Sequence, residues 1–282
     1  MSIFEAILLG IIQGISEFLP ISSTAHLTIA GNLMNLIPED QPELWTAFVA
    51  VIQLGTLISI LIYFSKDVIN ISSDFIRDNF KLKLKYGEQS LNSRLGWLIA
   101  VGTIPIIVAG LMMKELIEGT ITKNLYVIAA SLIIFAIILA MAEKAAEHKR
   151  HMKNLRLADS LLIGIAQAFA LIPGASRSGT TIAGGLLIGL KRSDAARFSC
   201  LLSIPAVFTS GIFELYRAFH YLNYSMIINL VAATFAAALS GYFAIDFLLK
   251  FLEKHSTFIF VIYRIALGLL VILFLLTNII QT

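Results

Sequence analysis

Gln13-Gly14-Ile15-Ser16-Glu17-Phe18-Leu19-Pro20-Ile21-Ser22-Ser23-Thr24-Ala25-His26 interrupts an otherwise apolar run, residues 3–36. About 12 residues of apolar sequence lie on either side, roughly half a bilayer at 1.5 Å rise per residue. A single spanning helix would carry a carboxylate, four hydroxyls and an imidazole through hydrocarbon. Pro20 would also remove a helical N–H. Non-helical backbone at membrane depth is tolerated only inside protein or beside a water-filled cavity. The stretch therefore predicts a helix that enters the membrane, turns, and leaves on the same side; one long damaged span is the competing reading.

Residues 159–190 are broken in the same way, by Gln167 and by Pro173-Gly174-Ala175-Ser176-Arg177-Ser178-Gly179-Thr180-Thr181. Gly10-Ile11-Ile12-Gln13 aligns with Gly164-Ile165-Ala166-Gln167, and the same offset places Ser22 on Ser176. Three unbroken apolar stretches follow the first break, at 44–65, 96–113 and 125–142. Three more follow the second, at 198–217, 226–249 and 257–277. Each is long enough for a transmembrane helix. One hairpin plus three crossings leaves the two ends of a half on opposite sides. The expectation is one all-α membrane domain over 1–282, with six transmembrane helices and two re-entrant hairpins. Residues 1–142 and 156–282 would then be inverted repeats, an arrangement that brings broken helices together near the midplane.

Composition agrees. Of 282 residues, 58% are hydrophobic and 14% charged, against about 25% charged in a soluble domain. There is too little polar surface to cover a soluble globule. The lone Cys200 forms no intramolecular disulfide. A net charge of +3 reflects loop lysines and arginines rather than nucleic-acid binding. The first apolar run has no Lys or Arg ahead of it, unlike a cleavable signal peptide. With both hairpins re-entrant, loops 66–95, 143–157, 191–197 and 250–256 share one side and hold 16 of the 21 Lys and Arg. Only Lys114, Lys123 and Arg217 fall on the other. The positive-inside rule then places both termini outside the cytoplasm of a multi-pass plasma-membrane protein.

Ionisable groups within spans are expensive and functional by default; here they are Glu17, His26, Arg177, Asp246 and Arg264. Asp246 and Arg264 could pair with each other or reach the interface, and Glu214 reads as interfacial. Gln13 and Glu17 share a helix face, and Ser22, Ser23, Thr24 and His26 follow within a few residues. Such a set can supply a nucleophile, a proton carrier and an orienting or metal-binding carboxylate. The second break is a different kind of site. Its glycines permit a tight turn, its hydroxyls donate hydrogen bonds, and Arg177 presents a fork that matches phosphate oxygens. A half-helix N-terminus behind it completes an anion cradle. Neither cluster suffices alone. A shared site requires Ser23 and Arg177 within about 10 Å of each other. Soluble phosphate esters need no such depth, so the substrate reads as a lipid phosphate, to be hydrolysed or, alternatively, flipped across the bilayer.

The stretches Gln13–His26 and Pro173–Thr181 closely resemble the two signatures of the undecaprenyl pyrophosphate phosphatase family, also called bacitracin-resistance proteins. Val51-Ile52-Gln53-Leu54-Gly55 and Ile262-Tyr263-Arg264 are similar to further family segments. The resemblance implies an enzyme that removes the terminal phosphate of a C55 polyprenyl diphosphate, recycling the carrier for peptidoglycan. It also implies interdigitated inverted repeats and a homodimer. The expected catalytic residues are Glu17, Ser23, His26 and Arg177. Gln13, Ser22, Gln53, Ser176, Ser178, Thr181 and Arg264 are expected to bind substrate. The family carries Glu or Gln at position 13; with Gln here, Glu17 would hold Mg²⁺ or Ca²⁺ together with substrate oxygens and water. Ser23, His26 or water could be the nucleophile.

Overall fold

The computed structural model describes residues 1–37, 42–113, 124–218 and 224–277. Eleven α-helices and no β-strand occur among the described residues. Helix α1 (Ile3–Phe18) opens on a capping box. In it, the Ser2 N–H donates to Glu5 Oε2 at 2.7 Å and the Glu5 N–H to Ser2 Oγ at 3.3 Å. After a turn come α2 (Ser23–Leu33), α3 (Pro42–Tyr63), α4 (Ser65–Ile76), α5 (Leu91–Met112) and α6 (Leu125–Ala145). The second half contains α7 (Leu157–Ala168), α8 (Arg177–Leu187), α9 (Arg192–Ala218), α10 (Tyr224–Lys254) and α11 (Phe258–Leu276).

Six segments are long and apolar enough to cross a bilayer: Leu44–Tyr63, Leu91–Met112, Leu125–Ala145, Arg192–Arg217, Met226–Lys254 and Phe258–Leu276. They correspond one for one to the six expected spans, so the chain is an all-α multi-pass membrane protein. Both interrupted regions are broken helices. With 16 and 11 residues in α1 and α2, and 12 and 11 in α7 and α8, each piece is shorter than the roughly 20 residues a crossing needs.

The stretch 66–95, counted as a loop, contains α4, a π-helical turn (Arg77–Lys81) and a 3-10 turn (Tyr86–Glu88). The reason is amphipathicity. Ile71 is buried, and Phe75 packs on Trp97 of α5 with ring centroids 5.2 Å apart. Its charged residues mask this helical stripe when only net hydropathy is read. Helix α9 likewise begins inside the 191–197 loop. Lys114 and Lys123 lie outside the described residues.

The halves interdigitate. Helix α1 lies along α10, and α7 lies along α5. Each broken helix thus packs on a long span of the other half. Both contacts are backbone-close. A Cβ on Gly10 would stand 2.2 Å from the Ala233 carbonyl oxygen, and one on Gly164 would stand 2.3 Å from that of Gly102. Only glycine permits such approach between membrane helices. Helix α6 packs along α11 and α9 along α3, and the turns after α1 and α7 meet between them.

Candidate active site where the broken helices meet

Ser22 and Ser176 cap the N-termini of α2 and α8. Both take a left-handed backbone, φ 76° and ψ 100° at Ser22, φ 71° and ψ 113° at Ser176. Such a conformation costs a residue with a Cβ about 1–2 kcal/mol. Part is offset by capping bonds. Ser22 Oγ accepts from the Ala25 N–H at 3.3 Å, and Ser176 Oγ from the Gly179 N–H at 3.2 Å. Gly174, at φ 87°, supplies the second turn. Gly179 lies within the first turn of α8 rather than in the bend.

Glu17 is the hub. It is 6% exposed at the end of α1. Gln13 Nε2 donates to Glu17 Oε2 at 2.7 Å, one turn back along the helix. Ser23 Oγ donates to the same oxygen at 2.5 Å from the first turn of α2. Arg177 Nη2, from the other half of the chain, donates to Glu17 Oε1. A single carboxylate therefore joins the two broken regions. Hydrogen-bond geometry keeps Ser23 Oγ and the Arg177 guanidinium within about 7 Å, inside the separation expected of a shared site. A buried carboxylate held by a cation and two further donors avoids the penalty of an unpaired charge.

His26 points elsewhere. Its Nδ1 lies 2.7 Å from the Ser22 carbonyl, which accepts a hydrogen bond from it, and its Nε2 lies 2.6 Å from the Tyr263 hydroxyl. The Nδ1 bond selects the tautomer in which Nε2 accepts from Tyr263. Glu17, not His26, is thus in contact with the Ser23 hydroxyl. Tyr263 received no role from the sequence. The available signal was a phenol beside an intramembrane arginine in an otherwise apolar span.

Arg264 is fully buried, 0% exposed. Its Nη2 donates to the Gly174 and Ala175 carbonyls at 3.0 and 2.9 Å, and Nη1 to the Pro20 carbonyl at 3.5 Å. It pins both turns from behind and does not pair with Asp246. Asp246 instead accepts from Lys250 at 2.7 Å and Tyr63 at 3.2 Å, while Glu214 pairs with Arg217.

Several expected substrate ligands bond to the protein itself in this arrangement. Ser178 Oγ donates to the Leu19 carbonyl at 2.9 Å, tying the second turn to the first. Ser176 Oγ and Ser178 Oγ lie 3.2 Å apart. Thr181 Oγ1 donates back to the Arg177 carbonyl at 2.7 Å and lies 2.5 Å from Ser199 Oγ. Gln53 is half-buried on α3, and among the described residues the cluster's hydrogen bonds do not reach it.

Among the described residues no group of three or more His, Cys, Asp or Glu is placed to hold a metal ion. Glu17 is nevertheless flanked by a second hard donor. Gln13 is fully buried and its Oε1 has no hydrogen-bond partner. A carboxylate, an orphaned carbonyl and the Ser23 hydroxyl suit an oxygen-loving cation that draws its other ligands from phosphate and water. Chemically, the cluster offers a hydroxyl hydrogen-bonded to a base, beside a guanidinium able to bind an anion.

A family model described as Bacitracin resistance protein BacA matches residues 6–270. The chain is 49% identical over 268 residues to a protein of Syntrophobacter fumaroxidans, 95% of each chain being covered. It is 47% identical over 287 residues to one of Chlorobium phaeovibrioides, covering 99% of each. It is 48% identical over 278 residues to one of Myxococcus xanthus, covering 99% of this chain and 91% of that one. All three relatives are named undecaprenyl-diphosphatase.

Proposed function

This chain belongs to the BacA family of bacitracin resistance proteins, and from that premise we propose that it hydrolyses undecaprenyl diphosphate to the monophosphate and inorganic phosphate. The reaction returns the lipid carrier to cell-wall synthesis. The observation that carries the reading is the shared carboxylate: Glu17 accepts from the Ser23 hydroxyl on one oxygen and from Arg177 on the other.

The diphosphate competes with Glu17 for the Arg177 guanidinium, whose fork binds phosphate oxygens. Exchanging that partner leaves Glu17 free to take the Ser23 proton. Ser23 Oγ attacks the terminal phosphorus, and the bond from that phosphorus to the lipid monophosphate breaks. Arg177 stabilises the charge developing on the phosphoryl oxygens. Water then releases phosphate from the seryl ester. His26, oriented by Ser22 and Tyr263, is the proton carrier for the leaving oxygen or for that water. A flippase needs the anion cradle but no hydroxyl hydrogen-bonded to a base, so the Ser23–Glu17 bond favours hydrolysis.

A divalent cation, Mg²⁺ or Ca²⁺, would be held by Glu17 and the Gln13 carbonyl with substrate oxygens, and would offset the diphosphate's negative charge. Sixteen Lys and Arg on one side support an orientation with both termini outside the cytoplasm and the broken helices re-entering from opposite faces of the plasma membrane. The matched backbone at Ser22 and Ser176 supports an inverted repeat. A homodimer is the assembly that family resemblance implies.

The test is phosphate release by purified protein given a polyprenyl diphosphate, with and without chelator. Wild type releases phosphate, and Ser23→Ala loses at least a hundredfold, about 2.7 kcal/mol of transition-state stabilisation. Lipid translocation in vesicles without phosphate release would overturn hydrolysis in favour of transport. Undiminished release by Ser23→Ala would remove Ser23 as nucleophile.

A further inference from the structure

Away from the site, a cavity of about 200 Å³ opens between the first turns of α5 and the 152–155 connection. Asn92, Arg94 and Lys153 line it beside Leu91, Leu98 and Leu155. Leu98 and Leu155 are buried, whereas Leu91, at the start of the span, is 56% exposed. The cavity is thus amphipathic and sits at one end of a membrane-crossing helix.

Its charges are unbalanced. Asp74, bonded to the lining residue Asn92 at 2.8 Å, also accepts from Arg77 at 2.9 Å. Among the described residues neither Arg94 nor Lys153 has an ion-pair partner. Arg94 Nε is buried and has no hydrogen-bond partner. Lys81, Lys83 and Lys85 add exposed positive charge on the segment leading into α5.

We propose that this cavity is a binding site for a phosphate group carried on an apolar chain, with Arg94 and Lys153 holding the phosphate and the chain running out over Leu91. An anionic phospholipid has that chemistry. Its volume is small beside an ordinary ligand pocket of about 300–1,000 Å³, so it admits a headgroup and leaves the acyl chains in the bilayer. Basic pockets between membrane helices on the positive side characteristically take anionic headgroups. Asn92 lines the cavity with its Nδ2 donating to Asp74 at 2.8 Å, so Arg94 and Lys153 are the groups left to hold the phosphate.

The site lies outside the catalytic cluster, so its test is independent of phosphatase activity. Full-length protein in detergent is titrated with short-chain phosphatidylglycerol and phosphatidylcholine, and bound lipid is counted by native mass spectrometry. A parallel arm adds inorganic phosphate in millimolar excess. The expected result is one phosphatidylglycerol bound at least tenfold more tightly than phosphatidylcholine. R94Q/K153Q should abolish that preference, and the charge-conserving R94K/K153R should retain it. Unchanged helical circular dichroism verifies that the neutral variant is folded; should it fail to fold, R94Q and K153Q singly carry the same test. Displacement of the lipid by inorganic phosphate identifies free phosphate as the source of the same chemistry. Equal binding of both lipids to wild type, or undiminished preference in folded neutral variants, overturns the proposal.

Discussion

The two broken helices share one backbone device and divide the chemistry between them. Ser22 and Ser176 have nearly the same unusual dihedrals and cap equivalent N–H groups. Both following helices end at equivalent positions, at Leu33 and Leu187. At the same offset, however, Ser23 corresponds to Arg177, Glu17 to Leu171 and His26 to Thr180. The proposed nucleophile and the cation therefore occupy the same place in the two halves. A common turn can be kept for its geometry while the side chains it displays diverge, because the cap uses only a serine and the local N–H groups. Convergence of two such turns on one carboxylate assembles complementary groups that neither half contains.

Breaking the asymmetry at its hub has the largest expected effect. Glu17→Gln keeps the size but removes the base and the partner of Arg177. Phosphate release should fall about a thousandfold, near 4 kcal/mol, measured at matched expression. A loss below tenfold would show that Glu17 is not the base. Arg177→Lys keeps the charge but not the fork. Turnover should drop at least tenfold, about 1.4 kcal/mol, and near-normal turnover would sink its assignment as the phosphate anchor.

Tyr263→Phe tests the part of the first region that has no counterpart in the second. Among the described residues the Thr180 hydroxyl bonds only back to its own helix, at the Arg177 carbonyl, whereas His26 reaches across the fold to Tyr263. Losing one hydrogen bond worth about 1 kcal/mol should reduce turnover about fivefold and displace its pH profile. An unchanged profile means that Tyr263 does not orient His26. The smallest effect is expected where the regions agree. Ser22→Gly and Ser176→Gly each relieve a left-handed residue and lose one cap. The two terms nearly cancel, leaving stability changes within about 1 kcal/mol. Thermal unfolding in detergent should show the same sign for both variants; opposite signs would break the equivalence of the two turns.

Much of this was legible in the residues. Six apolar stretches matched six long helices, because transfer of side chains into hydrocarbon depends on local composition along some 20 residues. Pro20 and Gly174 marked both breaks, because proline and glycine constrain the backbone wherever they occur. Helix α4 was not legible as a helix, since Lys66, Asp67, Asp74 and its serines and asparagine lower any average over the segment. Nor did hydroxyl content reveal that Ser178 and Thr181 hold backbone carbonyls.

Sequence alone determined that Glu17, Ser23, His26 and Arg177 sit at interruptions of membrane helices, because burying such groups in lipid is prohibitive without partners. Tertiary structure alone decided which partners they have. Ser23 could have faced His26, three residues along the same helix; packing turned it to Glu17 and left His26 for Tyr263, 237 positions away. Arg264 could have met a substrate or Asp246; packing placed it behind both turns. Hydropathy is a scalar that accumulates along the chain, whereas a hydrogen bond is directional and fails over an ångström or so. Only the docking of α1 on α10 and α7 on α5, through glycine contacts between the halves, sets positions that finely.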